Sequence, residues 1–297
     1  MNQGFAYRER IDAEGAGRTV LDHLTVRWPR ASRAAWRDRL DRSEVVLDGV
    51  IAKGDESLCR GQCLVWTRPP WDEPEAPTNF EVLYEDAQLV AVAKPSGLPT
   101  MPAGGEFLAR TLLALVCERF PGAVPMHRLG RHTSGLVLFA RTQQARTAVQ
   151  AAWRGGAVRK VYRALVRGEP PQTFTIDAPI GPIPYAPLGH IHAASAAGRP
   201  SRSVVSLVQP QNESALVDVD IETGRPHQIR IHLAYAGFPL VGDPLYGSGG
   251  VPILGTTAVP GDGGYLLHAL RLELAHPTTG ASLTLRCPPP STLQPMP

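Results

Sequence analysis

Residues 126–140 read Met-His-Arg-Leu-Gly-Arg-His-Thr-Ser-Gly-Leu-Val-Leu-Phe-Ala. The polar run Met126–Gly135 carries two histidines, two arginines, a threonine and a serine, and passes directly into Leu136–Ala140, an apolar stretch that reads as a buried strand. A polar turn feeding a buried strand is a frequent place for an active site. On these residues alone it is either a phosphate-binding loop or a hydrogen-bonded turn. Outward from it, Phe80–Tyr84 and Gln88–Ala93 read as strands, Phe107–Phe120 as a helix with one apolar face and Thr142–Trp153 as another helix. Lys160–Val166, Ser203–Val208 and Ala215–Ile221 continue as strands. Tyr265–Leu274 and Ser282–Arg286 form a closing strand pair around the turn at Thr278-Thr279-Gly280. Strands outnumber helices and do not alternate with them regularly, which predicts an α+β domain on a mixed sheet and argues against a parallel doubly wound fold. Residues 247–264, rich in Gly and Pro, read as a surface loop. The tail from Pro288-Pro289-Pro290 onward reads as frayed.

The amino-terminal part reads as a separate module. Leu21, Leu24 and Trp28 share one helical face, and Ser32 can cap a second helix that buries Trp36 and Leu40. Arg30, Arg33 and Arg37 repeat at helical spacing as a basic stripe. Val45–Leu47, Asp48-Gly49 and Val50–Ala52 read as a hairpin, because Asp-Gly suits a turn with positive φ. Cys63–Trp66 reads as a further strand. Two short helices followed by strands, with an arginine face, is an RNA-binding pattern, although such a face is also compatible with simple solvation. Residues 68–79, Arg-Pro-Pro-Trp-Asp-Glu-Pro-Glu-Ala-Pro-Thr-Asn, read as a stiff linker. The expected division is therefore a small domain at 1–67, a linker at 68–79 and a larger domain at 80–297.

Composition narrows the function classes. The chain has 297 residues, 43% apolar and 19% charged, enough to build a core and too apolar for wholesale disorder. No apolar run approaches the roughly 20 residues of a membrane helix. Residues 1–10 lack the apolar stretch of a secretory signal, so the expected location is cytoplasmic. Cys59, Cys63, Cys117 and Cys287 are too few and too scattered for a disulfide framework or a zinc site. A net charge of +3 says little about partners. Lysine occurs only at Lys53, Lys94 and Lys160, leaving arginine, whose planar fork suits phosphates and bases, as the dominant cation.

Two further clusters could carry chemistry. Glu222-Thr223-Gly224-Arg225-Pro226-His227-Gln228-Ile229-Arg230-Ile231-His232 places Pro226 where a helix could start. His227 and Arg230 would then share a face, and helix amides with two arginines would favour an anion. A structural ion pair for Arg230 is the equal alternative. In Lys160-Val161-Tyr162-Arg163-Ala164-Leu165-Val166, Tyr162 is either a core aromatic or a platform on which a base stacks.

Taken in order, Val82–Asp86, Val90–Leu98 with its Lys94-Pro95-Ser96-Gly97, His127-Arg128-Leu129, Thr133-Ser134-Gly135, Lys160-Val161-Tyr162, Thr223–His232 and Gly242-Asp243-Pro244-Leu245-Tyr246-Gly247 resemble the RluA family of RNA pseudouridine synthases. The likeness spans about residues 80–287. Residues 1–67 resemble the small RNA-binding module, named after a ribosomal small-subunit protein, that many of these enzymes carry.

The resemblance implies a mixed-sheet catalytic domain that uses neither metal nor cofactor. Uridine is detached at its N1–C1′ bond, turned in the pocket and rejoined through C5, after the base has been flipped out of the RNA. A carboxylate against the sugar acts as nucleophile or base, an Arg pairs with it and a Tyr stacks on the uracil. The catalytic positions carried over are Gly130, Tyr162 and Arg230. Those expected to hold RNA are Arg128, His127, Arg131 and Arg225, together with Arg33 and Arg37 in the small module. At position 130 the family pattern has Asp and this sequence has Gly, which can neither attack carbon nor accept a proton. The replacements to weigh are Asp86, Asp243 and His132. Without a carboxylate at 130, Arg230 would be left unpaired and more attractive to phosphate. The implied partner is RNA, ribosomal before transfer, bound by a monomer with no obligate protein partner. The other reading is an inactive RNA-binding protein that keeps the fold and the pocket.

Overall fold

The computed structural model describes residues 1–29, 31–102 and 105–296. It divides into two compact units, Met1–Glu73 and Pro74–Pro297, with the division inside the proline-rich segment.

The first unit runs β1 (Phe5–Arg10), α1 (Val20–Arg27), α2 (Arg33–Asp41), β2 (Val45–Leu47), β3 (Val50–Ile51) and β4 (Cys63–Arg68). Its strands form one antiparallel sheet in the order β1-β4-β2-β3. Thr19 caps α1 by accepting from the Asp22 amide, and Ser32 caps α2 by accepting from the Ala35 amide. Asp48 (φ 48°) and Gly49 (φ 87°) make the tight hairpin expected of that pair. Leu21, Leu24, Trp36, Leu40, Leu64 and Trp66 form the core, with Trp36 and Trp66 edge to face at 4.7 Å. Strand β1 was not anticipated. Phe-Ala-Tyr-Arg-Glu-Arg is half polar, and it is held as a strand by its pairing to β4. Arg30 of the basic stripe lies outside the described residues.

The second unit begins β5 (Glu81–Glu85), β6 (Leu89–Lys94), α3 (Leu112–Arg119), β7 (Val124–Pro125), β8 (Ser134–Ala140), α4 (Gln143–Arg154) and β9 (Arg159–Arg167). It continues β10 (Thr173–Ile176), β11 (Ile180–Tyr185), β12 (Gly189–Ala194), β13 (Ser203–Gln211), β14 (Ser214–Ile221) and α5 (Gln228–Tyr235), and ends β15 (Tyr246–Gly247), β16 (Val251–Pro252), β17 (Leu267–Ala275) and β18 (Ser282–Arg286). One mixed sheet dominates, in the order β10-β13-β14-β9-β17-β8-β6-β5, with β18 added to β17 and β7 to β8. The β17–β8 pairing is parallel and short, joining His268 to Ser134 and Ala269 to Gly135; the other pairings are antiparallel. Gly135 is required at this seam. Its φ is 110°, and a Cβ there would sit 2.4 Å from the Ala269 carbonyl oxygen. Among the described residues no helix is long and apolar enough to cross a membrane.

The α+β mixed-sheet architecture agrees with the sequence reading, and four local expectations are corrected. The helix expected over 107–120 begins only at Leu112, because Thr111 is extended and its hydroxyl accepts from the Ala114 amide as the cap. Residues 173–194 add β10, β11 and β12, which alternate too weakly to be read in advance. Residues 247–264 are not simply a surface loop, since they hold β16 and bring Pro260 to the cavity described below. The tail is docked rather than frayed: Leu293 is 1% exposed, and its carbonyl accepts from Arg163, which also pairs with Asp218. Replacing Leu293 by Ala should therefore cost about 2–4 kcal/mol in urea denaturation; a loss under about 0.5 kcal/mol would return the tail to a frayed end.

Candidate active site

The Leu129–Ser134 turn is fastened from below by backbone acceptors and buried donors. Lys94, at the end of β6, is buried, and its ammonium donates to the carbonyls of Pro95, Leu98 and Arg131 at 2.7–2.9 Å. Burial pushes its pKa down to about 7. The Thr100 hydroxyl donates to the Leu129 carbonyl (2.9 Å) and accepts from the Leu129 amide (3.1 Å). The Thr133 amide closes the turn on the Gly130 carbonyl. The backbone at Gly130 is thereby held in place although the residue itself is exposed.

Helix α5 carries the opposite part of the motif and is buried along nearly its whole length. It starts at Gln228, two residues after Pro226, because His227 takes a left-handed conformation (φ 56°) that interrupts helical winding. The expected placement of His227 on the helix is thus corrected. The buried Gln228 amide is fully engaged: its oxygen accepts from the Thr223 hydroxyl and the Arg225 amide, and its nitrogen donates to the Arg202 carbonyl and the Ser203 hydroxyl. His232 is clasped between the Ser203 hydroxyl and the Ala178 carbonyl. These bonds fix the helix that presents Arg230.

Arg230 and Asp243 form a buried two-pronged ion pair, with Nε and Nη2 each 2.7 Å from a carboxylate oxygen and both side chains under 5% exposed. Burial opposes the charge on Arg230, but the bonds and attraction to Asp243 overcome it and raise the pKa. The guanidinium carbon lies 4.2 Å from the Tyr265 ring and 5.1 Å from the Tyr246 ring. Asp243 also accepts from the Leu245 and Tyr246 amides, so its carboxylate organises the Gly242–Gly247 turn as well. The expectation that Arg230 is left unpaired is therefore wrong. The anion-binding reading loses Arg230, whose charge Asp243 matches, whereas Arg225 donates to the neutral Pro200 carbonyl and keeps its charge at the cavity lining.

Arg128, Gly130, Thr133, Tyr162, Arg225, His227, Arg230, Pro260 and Tyr265 are among the residues lining one open cavity of about 160 Å³, many times the space one water needs. The structure thus brings Gly130, Tyr162 and Arg230 together. Tyr162 is partly exposed, packs between two core clusters, and has its hydroxyl pushed up to about 12 by burial. It is both a packing residue and a cavity wall. Arg128 is exposed and, among the described residues, has no hydrogen-bond or ion-pair partner, so its charge remains available at the cavity. His227 bonds through Nδ1 to the Tyr246 hydroxyl, which itself donates to the His192 carbonyl; Nδ1 therefore carries the proton. Burial, aided by the charge on Arg230, pushes the pKa of His227 down to about 4.

Other expected site residues lie elsewhere. His127 accepts the Leu138 amide and stacks on Trp153 at 5.1 Å, and burial pushes its pKa to about 4, which makes it a neutral packing group. Arg131 donates to the Gly97 carbonyl and lies over Phe107. In the small unit Arg33 pairs with Asp22, while Arg37 donates to the Lys53 carbonyl and approaches Asp55. None of the three residues considered as replacements lines the cavity. Asp86 would be raised by burial, but bonds from Tyr84, the Leu89 and Gln88 amides and His276 hold it down to about 2 in the β5–β6 turn. Asp243 sits on Arg230, and His132 is packed near Gly263. Among the described residues no Asp or Glu lines the cavity. Thr133 lies in the polar cluster and the Thr133-Ser134-Gly135 motif without having been given a role, whereas nothing in the local sequence of Tyr265 sets it apart from strand residues.

Known proteins resemble this chain over most of its length. Residues 88–235 match the RNA pseudouridylate synthase family. An uncharacterized RNA pseudouridine synthase of Synechocystis is 41% identical over 93% of this chain and 96% of its own length. RNA pseudouridine synthase 5 of Arabidopsis thaliana is 37% identical over 92% and 89%, and ribosomal large subunit pseudouridine synthase D of Pseudomonas aeruginosa 31% identical over 91% and 88%. The solved structure of human RNA pseudouridylate synthase domain containing 1 shares the fold, with a TM-score of 0.57 at 24% identity over 73% of this chain and 86% of that one. The chain belongs to the RNA pseudouridine synthase family, in its RluA-like branch.

Two predictions follow from the charges. Asp243→Asn leaves a buried guanidinium without its counter-charge and should lower unfolding free energy by about 3–5 kcal/mol, read by denaturant titration. His127 and His227 titrate near 6.5 when unfolded but only near 4 when folded. The unfolded chain thus binds more protons within that window, so stability is lost as pH falls from about 6.5 to about 4. Melting curves across that range should show the decline, and a shallower one in His127→Gln.

Proposed function

We propose that this protein isomerises uridine to pseudouridine in RNA, with ribosomal RNA as the substrate and transfer RNA second. It would act as a cytoplasmic monomer without a cofactor. The observation that supports this most directly is the single cavity shared by the Tyr162 ring, the Arg230 guanidinium that Asp243 pairs from behind, and the open charge of Arg128. A flipped-out pyrimidine would lie against Tyr162, while Arg128 would hold the displaced backbone. The relatives named as acting on the ribosomal large subunit favour ribosomal RNA.

A second reading, an RNA-binding protein without catalysis, draws on a specific observation: among the described residues no carboxylate lines the cavity, in keeping with the resemblance that sets Gly130 where the family pattern has Asp. Chemical mapping of pseudouridine in ribosomal and transfer RNA incubated with purified protein separates the two. Under the isomerase reading the wild type forms product, and Tyr162→Ala lowers the rate at least about 100-fold while leaving most of the fold. Product formed only by Gly130→Asp would make the natural protein a binder.

The Arg33 and Arg37 pairs are exposed, and exposed pairs are weak enough to exchange for phosphate. Replacing both by Ala should weaken RNA binding and reduce the slope of log affinity against log salt by roughly one to two; an unchanged slope would remove this face from the interface.

A further inference from the structure

Gly130 is not a glycine that its backbone demands, for it is absent from the positive-φ positions. What limits its side chain is Tyr265. A Cβ at 130 would lie 3.1 Å from the Tyr265 hydroxyl and 3.4 Å from the Thr133 hydroxyl. Tyr265 therefore brings a polar oxygen to the space that a residue-130 side chain would enter. Its ring is fixed, 5% exposed and seated against Arg230 at 4.2 Å. Its hydroxyl, however, has among the described residues only the 3.4 Å contact to Thr133, longer than the usual 2.7–2.8 Å or so for paired hydroxyls. Buried hydroxyls are normally better satisfied than this. Both hydroxyls border the cavity, and each can donate and accept. The charge beside them is already balanced within the Arg230–Asp243 pair, so the seat suits a neutral group that also donates and accepts. In a nucleotide that description fits a sugar hydroxyl; a base carbonyl would use only the donors.

We propose that Tyr265 supplies the polar group that position 130 lacks, and that Tyr265 with Thr133 forms a two-hydroxyl seat for a ribose hydroxyl of the bound nucleotide. Tyr265 is then a specificity-determining residue that favours RNA over its deoxy counterpart. This rests on the reading that the cavity holds a nucleotide, and goes beyond it by assigning the sugar contact.

The test measures affinities of the full-length protein for a short oligouridylate and for the 2′-deoxy oligomer of the same length. Wild type should prefer the ribo form by roughly five- to tenfold, the worth of one net hydrogen bond. Tyr265→Phe keeps the ring on Arg230 and should reduce the preference to under about twofold through the ribo oligomer alone. Gly130→Ala should reduce it as well, because the new methyl displaces the hydroxyl, and should have no further effect in the Tyr265→Phe background. No ribo preference in wild type, an unchanged preference in Tyr265→Phe, or equal effects of Gly130→Ala in both backgrounds would overturn the proposal. Pseudouridine mapping on the same proteins keeps the two readings apart. Absent product with the preference intact and sensitive to Tyr265 counts against catalysis and supports the seat. If Tyr162→Ala changes affinity for neither oligomer, the pocket reading falls and the seat falls with it.

Discussion

The site depends on one buried ion pair. Arg230 and Asp243 come from different segments, a buried helix and a tight turn, and neither charge could remain there without the other. Their need for mutual geometry explains much of the surrounding structure. Helix α5 is tied by Gln228 and His232 so that the guanidinium cannot drift. The turn carrying Asp243 comes so close to the segment before β17 that a Cβ on Gly242 would lie 2.1 Å from the Gly264 carbonyl oxygen. That approach carries Tyr265 to one side of the cation, and Tyr246 supplies a second aromatic contact. The two rings add cation–π attraction for the charge.

This pairing changes what a glycine at position 130 means for the cavity. Reasoning from residue types alone, Gly130 leaves Arg230 a free cation eager for phosphate. The structure instead shows an arginine whose demand is met from behind, and a cavity to which Arg128 and Arg225 bring open charge. The cavity has walls, an aromatic ring and cations, and among the described residues its lining holds no carboxylate.

Much of the fold could be read from the sequence because the signals were local. Ser32 caps a helix where its spacing indicates, Asp48-Gly49 turns a hairpin, and the apolar run after Gly135 is the buried β8. The residues Tyr162 and Arg230 were legible through their motifs. What could not be read depends on contacts between distant segments. His127 sits in a promising polar cluster, yet Trp153 and the β8 backbone claim it. Asp243 belongs to a turn motif and also to Arg230. The Tyr265 hydroxyl meets position 130 across more than a hundred residues, a proximity that no spacing rule encodes. The docked tail is similar, since a proline-rich end looks solvated until Arg163 and the pocket for Leu293 are in place.

The position of β17 has a consequence for how the chain is made. It lies between β9 and β8, so the two halves of the large sheet meet only through a strand supplied near the carboxyl terminus. During synthesis on a ribosome, the earlier strands emerge as two unfinished ribbons whose facing edges wait for a common partner. Joining them requires pairings of long sequence separation, which places this protein among the slower folders. The cavity is completed in the same event, because the segment that closes the seam also delivers Tyr265.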